Sequence, residues 1–285
     1  MESNHSFFER VKEKSEGLSP KQVQLAKYLI GNYKTVAFQT ISQVARSARV
    51  SEATVVRLTT YLDYNGYPEM LEEFQQIVQY ELKAYENIRH TYKSEELKQF
   101  NIIETVVKND QRNISKLLES IKVTDIEFVA EKIYTADQVI IVGLYSASYL
   151  AQFFGYNLGK VKKNVTIINK DSMDVYNDLL NCCSGTVVIM LSFPRYPQKL
   201  LALGEVFRNK GAMVIGITDS IMSPLKAFCN QILVVPQQYT SFTDPGCAIM
   251  FLLQAIILEY LSRNPDQSEE FLEQFDEYVE QMKFF

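Results

Sequence analysis

The sequence predicts an all-α domain built on a helix-turn-helix, followed by an α/β domain with a doubly wound, five-stranded parallel sheet. Three observations predict it. Residues 19 to about 120 show helical periodicity with few β-branched runs. Within them, residues 41–62 carry the apolar spacing of two helices that cross at a tight turn. Between residues 138 and 236, five short runs that are apolar on both faces alternate with helix-length amphipathic sequence. That alternation is the pattern of a parallel sheet covered by helices on both sides. A chain of 285 residues is long enough for two such domains.

The N-terminal stretch Met1 to Ser19 is polar and charged, with no apolar core of a signal peptide. The first helix of the motif is read as Ile41 to Ser47, with Val44 and the small Ala45 turned inward. The turn is Ala48-Arg49-Val50. Ser51 is a good N-cap, and Glu52 sits favourably beside the positive helix end. The second helix runs to about Leu62, with Val55, Leu58 and Leu62 inward. Arg49 occupies a turn position that often takes glycine; a left-handed backbone there costs roughly 1 kcal/mol. Glu69 to about Leu97 is charged and helix-prone and reads as a helical hinge. Ile102 to Leu118 is a better amphipathic helix, expected to dock on the α/β domain. The strands are read as Val139–Val142, Val165–Ile168, Val187–Leu191, Met213–Ile217 and Ile232–Val235. The expected division is residues 1–80, a linker over 81–106, and the α/β domain over 107–285.

Cys247 to Leu258 is apolar but interrupted by Gln254, and it falls short of the roughly 20 residues needed to cross a bilayer. It reads as a buried helix, and no membrane partner is expected. The four cysteines, Cys182, Cys183, Cys229 and Cys247, have no metal-ligand spacing and form no disulfide framework. They read as reduced, mostly buried thiols of a cytoplasmic protein. No cofactor and no metal is expected.

The net charge of −5 excludes a chain that is basic all over, but not a local basic face. Between Gly17 and Tyr67 the cations Lys21, Lys27, Lys34, Arg46, Arg49 and Arg57 face only Glu52 and Asp63. A net basic helix-turn-helix inside an acidic protein suits duplex DNA, with the second helix in the major groove and its first residues at base edges. Ser51, Glu52, Thr54 and Arg57 are read as its outward polar residues. Arg57 is suited to a guanine or a phosphate, and Arg46 and Arg49 join the candidate contacts.

These residues carry a family resemblance. Leu18-Ser19-Pro20, Val36-Ala37-Phe38, Ile41 with Val44-Ala45, the run Val50-Ser51-Glu52-Ala53-Thr54-Val55-Val56-Arg57, and the tail Leu62 to Glu69 resemble the N-terminal domain of RpiR-type (MurR/RpiR) regulators. The resemblance covers nearly the whole chain. It implies a C-terminal SIS (sugar isomerase) domain, a five-stranded parallel α/β sandwich that binds sugar phosphates. It also implies a homodimer or homotetramer on double-stranded operator DNA, a phosphosugar or other anionic carbohydrate derivative as effector, and control of carbohydrate-related genes.

Ligands of doubly wound sheets bind beyond the C-terminal strand ends. After the first strand, Gly143 allows a tight turn, and Ser146 and Ser148 lie near a helix N-terminus that favours an anion. After the third strand comes Ser192-Phe193-Pro194-Arg195-Tyr196-Pro197. Phosphosugar-binding SIS domains usually have a pattern like Ser-x-Ser-Gly-x-Thr here, and only Ser192 is retained. Pro194 and Pro197 remove two backbone donors. Arg195 replaces the glycine and offers a planar fork for an anion, and Tyr196 adds a ring face and a hydroxyl. Ser241, in the loop after the fifth strand, is the remaining candidate. Thr218 and Asp219 are equally suited to capping the helix near Ser223-Pro224.

A sugar-phosphate isomerase is the rival reading, and a ligand-free SIS interaction module a third. Isomerisation needs a general base and usually an acid. The two histidines, His5 and His90, lie outside the α/β domain, and Glu205 and Lys199 suit a solvated helix face equally well. No catalytic residues are assigned, and the chain is read as a regulator rather than an enzyme.

Overall fold

A computed structural model of the chain describes residues 6–78, 102–172, 175–194, 196–239 and 244–282. The helical half consists of α1 (Phe7–Glu13), α2 (Pro20–Val36), α3 (Ile41–Ser47), α4 (Glu52–Tyr61) and α5 (residues 67–78). Val44, Ala45, Val55, Leu58 and Leu62 are buried as expected, and small Ala45 and Ala48 let α3 and α4 cross closely. Arg49 is left-handed, at φ 56°. Its amide bonds Arg46 O and the amide of Val50 bonds Ala45 O at 2.9 Å. This is a Schellman closure with arginine where glycine is usual. The same closure ends α4, where Asp63 has φ 60° and Tyr64 N bonds Thr59 O.

Two segments differ from expectation. The N-terminal stretch is not simply polar: Phe7, Phe8 and Val11 of α1 are buried against Phe74 and Tyr33, with Phe7 and Phe74 ring centroids 4.8 Å apart. The start of the expected hinge also belongs to this core, since Met70, Phe74 and Ile77 of α5 are buried. The rest of that hinge lies outside the described residues.

The second half contains α6 (Ile102–Ser120), α7 (Val123–Thr135), α8 (Ser148–Gly159), α9 (Val175–Asn181), α10 (Gln198–Asn209), α11 (Cys247–Arg263) and α12 (Pro265–Met282). Its strands are β1 (Gln138–Gly143), β2 (Val165–Ile168), β3 (Thr186–Leu191), β4 (Met213–Thr218) and β5 (Gln231–Val234). They form one parallel sheet in the order β2-β1-β3-β4-β5. Alternate residues divide the core. Val139, Ile141, Val187 and Ile189 face α7, α8 and α11, whereas Ile140, Val142, Val188 and Met190 share a cluster with α10 and the whole helical half.

The helix α6 docks on the α/β half as expected, by a face that joins buried Leu117 and the packed Ile114 to two asparagines. Asn109 and Asn113 are buried and both donate to Gln238 O, and Asn113 Oδ1 accepts from Gln238 N at 2.8 Å. Ile102 and Ile103 on the same helix are 67% and 64% exposed. The backbone after β5 needs partners, and the two asparagines supply them. The α11 helix is buried along Ala248, Ile249, Leu252 and Ile256, with Phe251 and Leu258 exposed. Cys182 and Cys229 are buried, and Cys183 and Cys247 are exposed.

Candidate functional site

The first candidate is the outer face of α4. Ser51 caps the helix, accepting from Thr54 N at 3.2 Å. Ser51, Glu52 and Arg57 are exposed, as are Arg46 and Arg49 at the turn. Glu52 is not free: Ser42 Oγ donates to its carboxylate at 2.5 Å, which fixes α4 to α3. Arg57 Nε donates to Ala53 O at 3.2 Å, which lays the guanidinium along the helix surface. Thr54 was expected to face outward and does not. It precedes Leu58 by four residues, shares its face, and is buried with its hydroxyl 2.8 Å from Ser51 Oγ. The outer face is instead Ala53, Val56, Arg57 and Thr60, spaced i, i+3, i+4 and i+7 and all exposed. Ala53 and Val56 are apolar and so are not among the expected polar contacts, although the helical wheel of the sequence places them on this face. Small apolar groups in a major groove meet thymine methyls.

α1 grips the far end of this helix. Arg10 donates to Leu62 O and Asp63 O at 2.9 and 2.8 Å, and stacks on the Tyr64 ring. Lys14 donates to Tyr61 O and pairs with Asp63 at 2.6 Å. That bond holds the exposed Asp63 carboxyl below its ordinary value.

The second candidate lies across the C-terminal ends of β1 and β3. These neighbours lead to opposite sides of the sheet, and a crevice opens where the winding reverses. A cavity of about 430 Å3 there is walled by Leu144, Tyr145, Ser146, Ala147, Leu191, Ser192, Phe193, Pro194 and Pro197. Gly143 is required beneath it: a Cβ would lie 2.6 Å from Ala147 O. Ser146 is exposed in the wall, and Ser148 opens α8 outside that wall. Neither serine caps α8, whose N-cap is Ala147 with no side-chain bond. The Ser192 hydroxyl is buried at the cavity and has no hydrogen-bond partner among the described residues. Tyr196 is turned away from the wall and is 2% exposed, its hydroxyl donating to Asp219 Oδ1 at 2.8 Å. Its ring therefore does not offer the expected stacking face. Thr218 and Asp219 do not cap the turn themselves; Ser223 does, and Thr218 bonds it. Arg195 and Ser241 lie outside the described residues.

Among the described residues no group of three His, Cys, Asp or Glu is placed to hold a metal ion, and no helix is long and apolar enough to cross a membrane.

Comparison with known proteins joins the two candidates. Residues 6–80 match the helix-turn-helix domain of the rpiR family, and residues 132–259 match the SIS domain. The HTH-type transcriptional regulator HexR of Escherichia coli (strain K12) is 21% identical over 226 residues, which is 75% of this chain and 73% of that protein. The sugar isomerase domain of the RpiR transcription factor from Sphaerobacter thermophilus superposes with a TM-score of 0.59 at 23% identity, covering 62% of this chain and 98% of that one. The Vibrio vulnificus NanR protein, solved in complex with ManNAc-6P, superposes with a TM-score of 0.56 at 18% identity over 97% of this chain and 99% of that one.

Proposed function

Because the chain belongs to the RpiR-type helix-turn-helix regulators that carry an SIS domain, we propose that it reads operator DNA through α4 and that a sugar phosphate or related anion, bound at the β1/β3 cavity, controls that reading. The observation that carries the effector half is Ser192. A buried hydroxyl without a partner costs about 1–3 kcal/mol, and here it faces a cavity beside the uncapped start of α8. Oriented amides and a spare hydroxyl suit an anion. The complex of NanR with ManNAc-6P supports the same ligand class. The proposed division stays at 1–80, 81–106 and 107–285, the locus is the cytoplasm, and the genes controlled are carbohydrate-related.

The regulator is not an enzyme in this reading. Glu205, the nearest carboxylate after the loop, pairs with Lys27 of α2 at 2.5 Å, and Lys199 pairs with Asp171. Neither is a wall of the cavity. The exposed Ile102, Ile103, Val106 and Val107 of α6 support a homodimer or homotetramer.

A thermal-shift screen of hexose and pentose phosphates, sugar acids and polyols tests the effector half. A ligand at 100 times its dissociation constant stabilises by about 2.7 kcal/mol, and that gain should vanish in Ser192→Ala. No stabilisation by any anionic sugar would sink it. Binding to duplex DNA should weaken steeply with salt, because phosphate contacts release counterions; salt-insensitive binding would sink the other half.

A further inference from the structure

The cavity and the DNA-reading helix are joined by a continuous chain of named contacts. Tyr196, in the loop that walls the cavity, donates to Asp219 Oδ1. The Thr218 hydroxyl lies 3.3 Å from that same oxygen and 3.0 Å from Ser223 Oγ. All four residues are buried. Ser223 caps the short 3-10 helix Pro224–Ala227, accepting from Leu225 N. On that turn sits α1: Lys226 pairs with Glu9, and Lys12 donates to Cys229 O. From its other side α1 holds the last carbonyls of α4 through Arg10 and Lys14.

The seam beside this joint is not filled. A cavity of about 440 Å3 separates α2 from α10, with Ala26 and Ile30 on one side and Leu201 and Ala202 on the other. Close-packed interiors resist displacement. The exposed Lys27–Glu205 pair bridges α2 and α10 at the rim of this cavity, and the open space beside it leaves the helical half room to turn about α1.

We propose that Tyr196 is a positioning residue: through Asp219, Thr218 and Ser223 its hydroxyl sets the 224–227 turn, and with it the angle at which α1 presents α4 to DNA. The proposal rests on the reading of the Ser192–Pro197 loop as a wall of the effector site. An effector that shifts the loop acts on α4 only by favouring one of two arrangements of this joint.

Hydrogen exchange on the intact, ligand-free chain tests it. Tyr196→Phe keeps the ring and removes only the hydroxyl. It should speed exchange about threefold or more in residues 224–229, in α1 and at the C-terminal end of α4. It should leave β1, β2 and α8 unchanged. Asp219→Asn keeps an acceptor and should exchange like wild type, whereas Asp219→Ala should match Tyr196→Phe. Lys226→Met cuts the chain at the far end; it should loosen α1 and leave residues 192–197 untouched. Faster exchange confined to residues 192–197 in Tyr196→Phe, or no change anywhere, overturns the proposal. The ligand screen reports on the cavity independently, because it reads stabilisation and not exchange. A failed screen with the full exchange pattern removes the effector reading alone, and a confined exchange pattern removes the link whatever the screen gives.

Discussion

The two halves begin their helices differently. In the helical half α1, α2 and α3 each start with a reciprocal capping box, Ser6 with Glu9, Ser19 with Gln22 and Thr40 with Gln43, and Ser51 caps α4. In the α/β half α8, α10 and α11 start at Ala147, Pro197 and Gly246 with no side-chain cap. Each of these three follows a strand, so each opens at the edge of the sheet where ligands of such folds bind. One half satisfies the starts of these helices with its own side chains. The other leaves amide ends that an anion can satisfy.

The contrast can be broken by substitution, and the largest effect belongs to the helical half. Leu58→Ala should destabilise it by about 2–5 kcal/mol, because Leu58 is fully buried between α3 and α4; a loss under 1 kcal/mol in urea unfolding would mean a core far looser than described. Arg57→Ala should weaken operator binding by about 1–3 kcal/mol and change preference at one or two base pairs if the side chain reads a base. Equal weakening on all sequences assigns it to phosphate.

Two serine-to-alanine changes sharpen the comparison. Ser51→Ala should cost roughly 1 kcal/mol of stability, the usual worth of an N-cap. Ser192→Ala should cost nothing, or raise stability by up to roughly 1 kcal/mol, since it removes a buried hydroxyl lacking a partner. Thermal unfolding of both variants without ligand gives the signs; a loss in Ser192→Ala shows that the hydroxyl is already satisfied in the free protein.

The smallest effect is a pH dependence. Burial raises the Glu73 carboxyl above 4.5, although Phe7 N and the Tyr64 hydroxyl donate to it. A raised carboxyl stabilises the fold below the unfolded value and loses that contribution as pH rises through the folded one. Wild type should therefore gain on Glu73→Gln as pH falls from neutral toward 4.5. A constant difference across that range contradicts the half-buried placement of Glu73.

The strands were legible because each is apolar on both faces, and the helix-turn-helix because Val44, Ala45, Val55 and Leu58 agree in one spacing. The left-handed turn at Arg49 could be read from its place between Ala48 and Val50. α1 escaped notice because seven residues carry too little periodicity among charges such as Glu9, Arg10 and Lys12. α6 docks on the α/β half as its amphipathic pattern suggests, but nothing local announces that Gln238 needs Asn113. In the cavity, Ser146 and Ser192 are walls as the loop positions suggest, but the inward turn of Tyr196 depends on Asp219, 23 residues away.

The grip of α1 on the far end of the chain has a consequence for the order of synthesis. Glu9 and Lys226 are 217 residues apart, and so are Lys12 and Cys229. When α1 leaves the ribosome its docking turn does not yet exist. The DNA-reading core closes first, on Phe7, Tyr33 and Phe74 within the same half, and contacts between distant segments form late because their loops are costly to close. The joint between the halves therefore forms after the helical core, and a nascent chain holds a complete reading head before it holds any means of controlling it.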